Sequence, residues 1–302
     1  MKFIYGCDQL MILAIGEILF DTFPKYRRIG GAPFNFAFHL CKLGFDARFW
    51  SRVGEDDDGR AILDYMSDKG IDASLVQKDK VSATGIVLIS LGNAGNADYS
   101  ILPGAAYDSL ELTDAIVKTV EESDLIYFGS LIQRTPRGFA TVHNALAKRK
   151  SGSLLMYDVN IRKGCFSQTI IIESLKKCDI FKLNEGELKE ISDMFLLKGS
   201  ADDCIRQIMD SYAINMVSLT CGSGGSYLYS RDAGRCYVGP ESGITIKDTV
   251  GAGDGYSAML CAGMLRGWKP QIIVEKASLF ASRICEIEGA IPEQESFYAK
   301  SL

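Results

Sequence analysis

The chain has 302 residues, of which 47% are hydrophobic and 24% charged, and it carries a formal net charge of −5. This composition is typical of a globular protein long enough for one large α/β domain or two small ones. Because Lys and Arg are scattered and no apolar run approaches the ~20 residues that span a membrane, we expect neither a nucleic acid nor a membrane as a partner.

The nine cysteines are widely spaced and include no Cys-x-x-Cys pair. An odd number of cysteines in apolar segments is typical of reduced thiols, so we expect a cytoplasmic protein without a disulfide framework or zinc site. Both histidines, His39 and His143, lack a partner at ligand spacing and are interpreted as structural. The first ten residues do not resemble a signal peptide, and we interpret residues 1–10 as an N-terminal extension.

The predicted elements of the first third of the chain are strands and helices in alternation, followed by a hairpin. The first helix has a proline in its first turn, and a glycine follows its end. The turn-rich segment Gly92–Asn96 separates two later strands, which is a hairpin signal. In chain order the predicted bounds are Met11–Gly16, Ala32–Leu43, Ala47–Val53, Gly59–Lys69, Thr84–Leu91 and Tyr99–Leu102.

From Leu110 onward, helices and short apolar strands alternate regularly. The pairs, helix first, are Leu112–Glu122 and Leu125–Phe128, Gly138–Arg149 and Leu154–Val159, Ile170–Lys177 and Ile180–Leu183, and Asp202–Tyr212 and Asn215–Thr220. This alternation predicts a parallel sheet covered by helices on both faces, with ligands beyond the carboxyl ends of the strands. We expect one main α/β domain, with the early hairpin inserted as a lid over the site.

The segment Asp248–Asp254, with the sequence DTVGAGD, opens a helix of small residues near the C-terminus. The unpaired N–H groups and the dipole of a helix start stabilise an anion. A carboxylate beside that anion repels it, but can take a proton from a hydroxyl that attacks it. Asp254 is therefore a candidate base in phosphoryl transfer. The structural alternative is a tight strand-to-helix turn in which Asp254 only stabilises the helix N-terminus.

Polar residues and glycines also collect just after the predicted strands. They are Glu17 and Asp21, Gly129 and Ser130, Asn160 and Arg162, Asn184 and Glu187, and the run from Gly222 to Gly225. Because the carboxyl ends of parallel strands lie along one edge, these residues should converge on a ligand. The chain has no Gly-x-x-x-x-Gly-Lys-Ser/Thr motif, which excludes a P-loop NTPase, and no Gly-x-Gly-x-x-Gly after the first strand.

Two signatures give the chain its resemblance to the PfkB-type carbohydrate kinases of the ribokinase-like fold. The first is Gly30–Ala37, with the sequence GGAPFNFA, and the second is the Asp248–Asp254 segment. The resemblance runs from Met11 to about Pro292. It implies a three-layer α/β/α domain over residues 11–302 with a mostly parallel central sheet. It also implies a small β-sheet lid formed by about residues 20–30 and 84–105.

The resemblance implies a catalytic group and a sugar site. Asp254 would deprotonate the sugar hydroxyl, and Arg162 would face the transferred phosphate or the sugar. The amides that would hold the phosphoryl oxygens belong to Gly251, Ala252 and Gly253. The residues that would bind the sugar are Asp21, Gly31, Asn35 and Asn160. The structural alternatives are an ordinary helix residue for Asn35 and a surface ion pair for Arg162.

The resemblance further implies ATP and Mg²⁺ as cofactors and points to a potassium ion. The ATP site would be lined by Asn184, Thr220, Gly222 and Gly225. Glu187, with Asn184, would organise Mg²⁺ through its waters, and Asp248 with the Gly289 region would hold potassium. Asn184 also suits the N-cap of a Glu185–Phe195 helix. Two lids packed together would close each other's sites, so we expect a homodimer through the lid.

The substrate implied by the resemblance is a sugar, and fructose phosphorylated at O6 is the leading candidate. The segments Gly16–Asp21, Phe128–Leu131 and Asp158–Arg162 are most similar to the fructokinase branch, although Val159 replaces a proline and Gly255-Tyr256 replaces a small-residue–Phe pair. The alternatives are 2-keto-3-deoxygluconate, then ribose or a nucleoside, and, from another class, a non-catalytic sensor. A sugar acid would need a cationic clamp from Arg27, Arg28, Arg134 or Arg162.

Overall fold

The structure is a computed structural model that describes residues 10–91 and 97–300. The strands within these ranges are β1 Met11–Ile15, β2 Leu19–Thr22, β3 Arg27–Gly30, β4 Asp46–Gly54, β5 Val76–Asp79, β6 Gly85–Leu91, β7 Ala97–Ile101, β8 Leu125–Gly129, β9 Leu154–Asp158, β10 Ile180–Asn184, β11 Met216–Thr220, β12 Ser226–Ser230 and β13 Gly234–Val238. The α-helices are α1 Ala32–Lys42, α2 Asp57–Asp68, α3 Asp114–Glu122, α4 Pro136–Leu146, α5 Gln168–Leu175, α6 Glu185–Phe195, α7 Ala201–Tyr212, α8 Ala252–Leu265 and α9 Pro270–Cys285.

A mostly parallel sheet forms the middle layer. Its strand order in the described chain is β13-β12-β11-β10-β9-β8-β1-β4-β5. The strands from β11 to β5 run parallel, and β12 and β13 extend one edge in antiparallel fashion. Strands β8 and β9 are buried along their whole length, because helices cover both faces of the sheet. The strand order changes direction beside β1, which opens a crevice beyond the carboxyl ends.

Two helical layers enclose the sheet, and each forms its own apolar core. On one face α1, α2, α8 and α9 pack around Phe34, Phe36 and Met259. On the other face α3 to α7 pack around side chains such as Val142 and Ile205. Helix α1 lies between the sheet and α8, so it is buried from Ala32 to Leu40 despite its polar members. This packing brings the starts of α1 and α8 to the same edge of the sheet.

A second, smaller sheet follows the carboxyl end of β1 and forms the lid. Its order is β3-β2-β6-β7, with β2 parallel to β6 and the other two pairs antiparallel. Along β6, Val87 and Ile89 face the domain core while the side chain of Leu88 is 45% exposed. One face of the lid therefore packs on the domain and the other is open.

The structure confirms the predicted fold class, and the helix–strand alternation after Leu110 is present with bounds shifted by a few residues. The lid has four strands, and the turn predicted at residues 92–96 lies outside the described residues, as do residues 1–9 of the predicted extension. Strands β5, β12 and β13 and helix α9 had no counterpart in the sequence analysis. β5 and β13 are short strands at the two edges of the sheet with exposed positions, which weakens their apolar periodicity.

Both histidines make hydrogen-bond contacts within the fold, and the described cysteines are unpaired. His39 is buried with its Nδ1 2.8 Å from the Tyr298 hydroxyl, and Nε2 of His143 lies 2.9 Å from Oε1 of Gln133. The eight described cysteines are free. Across the described ranges, no helix has the length and apolarity to cross a bilayer, and no group of three or more His, Cys, Asp or Glu residues could hold a metal ion by itself.

Candidate active site

Helix α8 begins with a turn that requires glycine. Gly251, its N-cap, has φ +76°, and a Cβ there would lie 2.2 Å from the Cβ of Ala290. The N–H of Ala252 donates a long bond of 3.3 Å to the preceding turn. The N–H groups of Gly253 and Asp254 meet no acceptor in the described part of the chain. The turn therefore presents free donors at a helix N-terminus, where an anion is stabilised.

Asp254 lies in the first turn of α8, with its carboxylate largely removed from water. Oδ2 accepts a hydrogen bond from Nδ2 of Asn35 at 2.7 Å. Burial raises the pKa of Asp254 from 3.8 to about 7; the Asn35 hydrogen bond opposes this, and the negative charge of Asp158 adds to it. The charges of Lys182 and Arg162 also lower this pKa. A carboxyl group that titrates near neutrality is suited to accept a proton from a hydroxyl.

Among the residues of the predicted sugar site, Asn35 contacts this carboxylate, Gly31 is the N-cap of α1, the helix of Asn35, and Asp21 lies on the lid strand β2. Asn35 is buried in α1, and its Oδ1 has no hydrogen-bond partner in the described chain. Gly31 has φ +115°, and a Cβ there would lie 2.4 Å from the carbonyl oxygen of Glu17. On the lid, a Cβ at Gly30 would lie 2.2 Å from Oδ2 of Asp21, so that carboxylate covers the glycine. Since an unpaired buried acceptor is costly, the site suits a ligand with hydroxyl donors.

Glu17 and Asp21 are two further carboxyl groups that, like Asp254, interact with the charge of Arg162. Burial raises the pKa of Glu17 to about 7 and that of Asp21 to about 6. The charge of Arg162 lowers both pKa values, and that of Asp254 raises the pKa of Glu17. The guanidinium of Arg162 therefore lies close enough to influence all three carboxyl groups, and Asp254 lies close enough to influence Glu17. In the sequence Glu17 is only a residue that follows the first strand, and no motif there marks it as part of the site.

Of the four arginines considered as a cationic clamp, three are engaged elsewhere. Arg27 pairs with Asp58 at 2.6 Å, and Arg134 pairs with Asp108 at 2.7 Å. Arg28 pairs with two carboxylates near the start of α8. Arg162 is exposed, donates only to its neighbouring carbonyl at 3.2 Å, and forms no ion pair among the described residues. It is the guanidinium that remains available to a substrate.

Lys182 is a candidate site residue that the sequence analysis missed. It lies on β10 with only 7% of its side chain exposed, and its Nζ is 3.2 Å from Oδ1 of Asp158. Oδ2 of Asp158 accepts bonds from the hydroxyls of Tyr127 at 3.1 Å and Ser257 at 2.8 Å. A Cβ at Gly253 would lie 3.3 Å from Nζ, so the ammonium adjoins the start of α8. In the sequence Lys182 is a lone charged residue inside an apolar strand. A buried charge of this kind is tolerated when it has an oppositely charged partner.

Asn184 and Glu187 form the capping box of α6. Oδ1 of Asn184 accepts from the N–H of Glu187 at 2.9 Å, and Oε2 of Glu187 accepts from the N–H of Asn184 at 2.7 Å. Oε1 of Glu187 also accepts from the N–H of Ile161 at 3.0 Å. This bond ties α6 to the loop of Asn160, whose φ of +38° is one that asparagine tolerates. Each carboxylate oxygen keeps one lone pair for a further donor, such as a water on Mg²⁺.

The predicted nucleotide residues form a tight turn at the end of β11. Thr220 pairs in register with Asn184 on the adjacent strand. Residues Gly222–Gly224 make one 3₁₀ turn, and Gly222 has φ +51°. Gly225 has φ +85°, and a Cβ there would lie 2.1 Å from the carbonyl oxygen of Val238. The N–H groups of Cys221, Gly224 and Gly225 bond within the turn, and residues 222–224 are exposed beyond the carboxyl end of β11.

Asp248 joins the two segments predicted to hold potassium. Its Oδ1 accepts from the N–H of Val250 at 3.0 Å, and its Oδ2 accepts from the N–H of Gly289 at 3.0 Å. The carboxylate thus fixes the loop that leads into Gly251. Arg28 reaches the same carboxylate from the lid.

Sequence comparison agrees with this geometry. The chain matches the pfkB family carbohydrate kinases over residues 26–296 and belongs to that family. It is 29% identical over 271 residues to a 5-dehydro-2-deoxygluconokinase of Geobacillus thermodenitrificans, covering 86% of this chain and 79% of the relative. It is 26% identical over 309 residues to fructokinase-1 of Oryza sativa subsp. japonica, covering 93% of this chain and 94% of the relative. The protein is a carbohydrate kinase.

Solved structures of the family share the fold. The fructokinase of Xylella fastidiosa with bound ATP has a TM-score of 0.83 at 18% identity, covering 97% of this chain and 98% of its own. A double mutant of the Vibrio cholerae fructokinase, bound to fructose, ADP and potassium, has a TM-score of 0.79 at 20% identity, covering 98% of this chain and 99% of its own. At these identities the likeness shows the fold.

Proposed function

We propose that the enzyme transfers the γ-phosphoryl group of ATP to a hydroxyl of a neutral sugar, with fructose at O6 as the leading substrate. The observation that carries this proposal is the 2.7 Å hydrogen bond between Asn35 and Asp254. This hydrogen bond joins the two sequence signatures. It places Asn35, which is suited to bind a sugar, next to the Asp254 carboxylate, which is suited to deprotonate a sugar hydroxyl. The free N–H groups of Gly253 and Asp254 lie at the same helix start.

The proposed reaction is an in-line transfer with Asp254 as the base. The sugar hydroxyl gives its proton to the Asp254 carboxylate while its oxygen attacks the γ-phosphorus, and the bond to the β-phosphate oxygen breaks to release ADP. General-base catalysis of this kind contributes about 10²–10⁴-fold. The amides at the start of α8 stabilise the charge on the transferring group, at roughly 10²–10³-fold per donor in other enzymes.

Lys182 and Arg162 supply positive charge on two sides of the reaction. The ammonium of Lys182 is held by Asp158 next to Gly253, and so lies beside the proposed phosphoryl site. Arg162 is exposed and free to approach the transferred phosphate. Mg²⁺, which neutralises nucleotide phosphates, would be held by ATP and through its waters by Glu187 and Asn184. Thr220, Gly222 and Gly225 would line the nucleotide.

Fructose is favoured over a sugar acid by the charges around the sugar site. Asp21, with a pKa of about 6, is mostly ionised at neutral pH, so its carboxylate accepts hydrogen bonds from hydroxyls and repels another carboxylate. The rice fructokinase supports this assignment. A sugar acid is the second candidate, because Arg162 is available as a clamp and the Geobacillus relative is named a 5-dehydro-2-deoxygluconokinase. The two candidates differ in whether Arg162 binds phosphate or substrate.

A substrate panel tests the proposal. ADP formation is followed with fructose, 5-dehydro-2-deoxygluconate, 2-keto-3-deoxygluconate, ribose and adenosine, and ³¹P NMR identifies the phosphorylated oxygen. We expect kcat/KM to be highest for fructose, with phosphate on O6. A preference for either acid, abolished by Arg162→Ala, would replace fructose with the second candidate. ATP binding without turnover on any acceptor would refute the kinase and favour a sensor.

We also propose that the open face of the lid pairs with that of a second chain. Leu88 and Leu102 expose 45% and 38% of their side chains, on and just beyond strands β6 and β7. Such apolar exposure on a sheet with unpaired edges is commonly covered by association. Light scattering at about 10 μM measures the oligomeric state, and a monomer there would refute the dimer.

A further inference from the structure

A guanidinium from the lid is inserted into the loops around the start of α8. Arg28, on β3, places Nη1 3.2 Å from Oδ2 of Asp248 and Nη2 3.1 Å from Oε2 of Glu288. The side chain of Arg28 is 30% exposed and that of Asp248 is 23% exposed, so their pair is shielded from solvent on most sides. The contact spans 220 positions of sequence and joins the lid to the phosphoryl site.

The surroundings of Arg28 hold the guanidinium in this position. Its Cζ lies 4.7 Å from the centre of the Tyr26 ring, within cation–π range. Gly289, at φ +76°, has no side chain, and a Cβ there would lie 3.1 Å from Nη1. A glycine therefore leaves the room that the guanidinium fills. We call this binding position the seat. It is formed by the carboxylates of Asp248 and Glu288, the ring of Tyr26 and the backbone at Gly289, and it holds one cationic group.

The same seat does not fit a potassium ion in addition to Arg28. Asp248 is the residue to which the family resemblance assigns potassium. Its Oδ2 already accepts from the N–H of Gly289 and from Arg28, and its Oδ1 accepts from the N–H of Val250. One lone pair of the carboxylate remains, and a cation using it would lie next to a guanidinium of like charge.

We propose that Arg28 is a built-in cation that takes the place of a monovalent metal ion in this enzyme. The guanidinium neutralises Asp248 and Glu288, which would otherwise repel the phosphates of ATP at the start of α8. It also holds the Asp248 carboxylate that orients Val250 and the turn at Gly251. Arg28 is thus a positioning residue, and this inference rests on the proposed kinase function.

The inference has a second consequence for the lid. Arg28 pairs in register with Asp21, the residue proposed to bind the sugar. The charge that completes the phosphoryl site is therefore delivered by the strand next to the sugar. In this arrangement the carboxylates near the start of α8 are neutralised only when the lid is in place. No added ion is needed for this.

The test compares three substitutions in buffers of constant ionic strength, with choline chloride exchanged for potassium chloride. Wild-type turnover should change by less than about twofold between zero and 100 mM potassium. Arg28→Ala opens the seat, so turnover without potassium should fall about 10-fold or more and should recover with potassium. Arg28→Met fills the seat without charge, so it should stay impaired in both salts. Arg27→Ala, whose partner is Asp58, is the matched control and should behave as the wild type.

Thermal unfolding of each variant gives a readout that does not depend on turnover. Because an ion that binds the folded state raises Tm, potassium should raise the Tm of Arg28→Ala and leave those of the wild type and Arg28→Met unchanged. Potassium activation or stabilisation of the wild type would overturn the inference. Full activity of Arg28→Ala without potassium would also overturn the inference. So would an Arg28→Ala variant whose turnover and Tm both fail to recover when potassium is added. If no sugar is turned over, the kinase proposal fails while the Tm comparison still decides the role of Arg28.

Discussion

Replacing Asp254 with asparagine should inactivate the enzyme and stabilise it at the same time. The substitution keeps the shape of the side chain and leaves an oxygen to accept the bond from Asn35. It removes the proton acceptor, so kcat should fall at least about 10²-fold while KM for ATP changes less than about threefold. It also removes a charge that burial disfavours, since the pKa of Asp254 is raised from 3.8 to about 7.

The pKa shift sets the size and sign of the stability change. The unfolded chain ionises Asp254 from about pH 4 and the folded chain only from about pH 7, so folding takes up a proton between these values. The free-energy cost of burying the ionised Asp254 therefore grows as the pH rises through this window, and it reaches its full value above pH 7. A shift of this size corresponds to at most about 4 kcal/mol. Because the carboxyl group keeps some contact with solvent, we expect the variant to gain about 2 kcal/mol, or roughly 4 °C in Tm.

Turnover and thermal unfolding of Asp254→Asn are therefore measured together, at pH 5 and pH 8. The gain in Tm should be larger at pH 8, where the wild-type carboxylate is ionised. Asp64→Asn, an exposed position on α2, is the control and should alter neither quantity. Turnover within tenfold of the wild type would contradict the assignment of the base. An equal gain in Tm at both pH values would contradict the pKa shift behind it.

Three further substitutions test other parts of the site and lid. In Lys182→Met, loss of the ammonium raises the pKa of Asp254, so the acid limb of the pH profile of kcat/KM should move to higher pH. The value of kcat should fall about 10²-fold. An acid limb that does not move would argue against an interaction between Lys182 and Asp254. Asp21→Asn should raise KM for fructose about 10-fold with KM for ATP unchanged, and equal effects on both would place Asp21 outside the sugar site. Leu88→Asp should convert the proposed dimer to a monomer in light scattering, and a dimer that persists would exclude this face of the lid.

The sequence was most informative where a backbone constraint leaves few alternatives. The turn at Gly251 needs a left-handed φ and the absence of a Cβ, and the small residues of the Asp248–Asp254 segment predict an anion-binding helix start there. The helix–strand alternation after Leu110 predicted the parallel sheet, because buried strands and amphipathic helices have different periods. The sequence predicts part of the capping box of Asn184 and Glu187, because Asn184 suits the N-cap of the helix that follows it.

The sequence does not predict which side chains contact one another across the sheet. Lys182 interrupts an apolar strand, but nothing in the sequence says that Asp158 lies opposite it or that Gly253 lies above it. Arg28 was one of four equivalent arginines until the structure placed it between two carboxylates. In each case the partners are brought together by packing between distant segments, which local propensity does not encode.

The contact between Asn35 and Asp254 spans 219 positions of the chain. During synthesis the first of these residues is made long before the second, and their helices meet only when α8 packs on α1. Contacts of such long range form late, because closing a long loop is entropically costly until other packing rewards it. A nascent or truncated chain without α8 therefore lacks Asp254, which lies in the first turn of that helix. Under the proposed mechanism such a chain has neither the base nor the amides that hold the phosphoryl group, so turnover requires the completed fold.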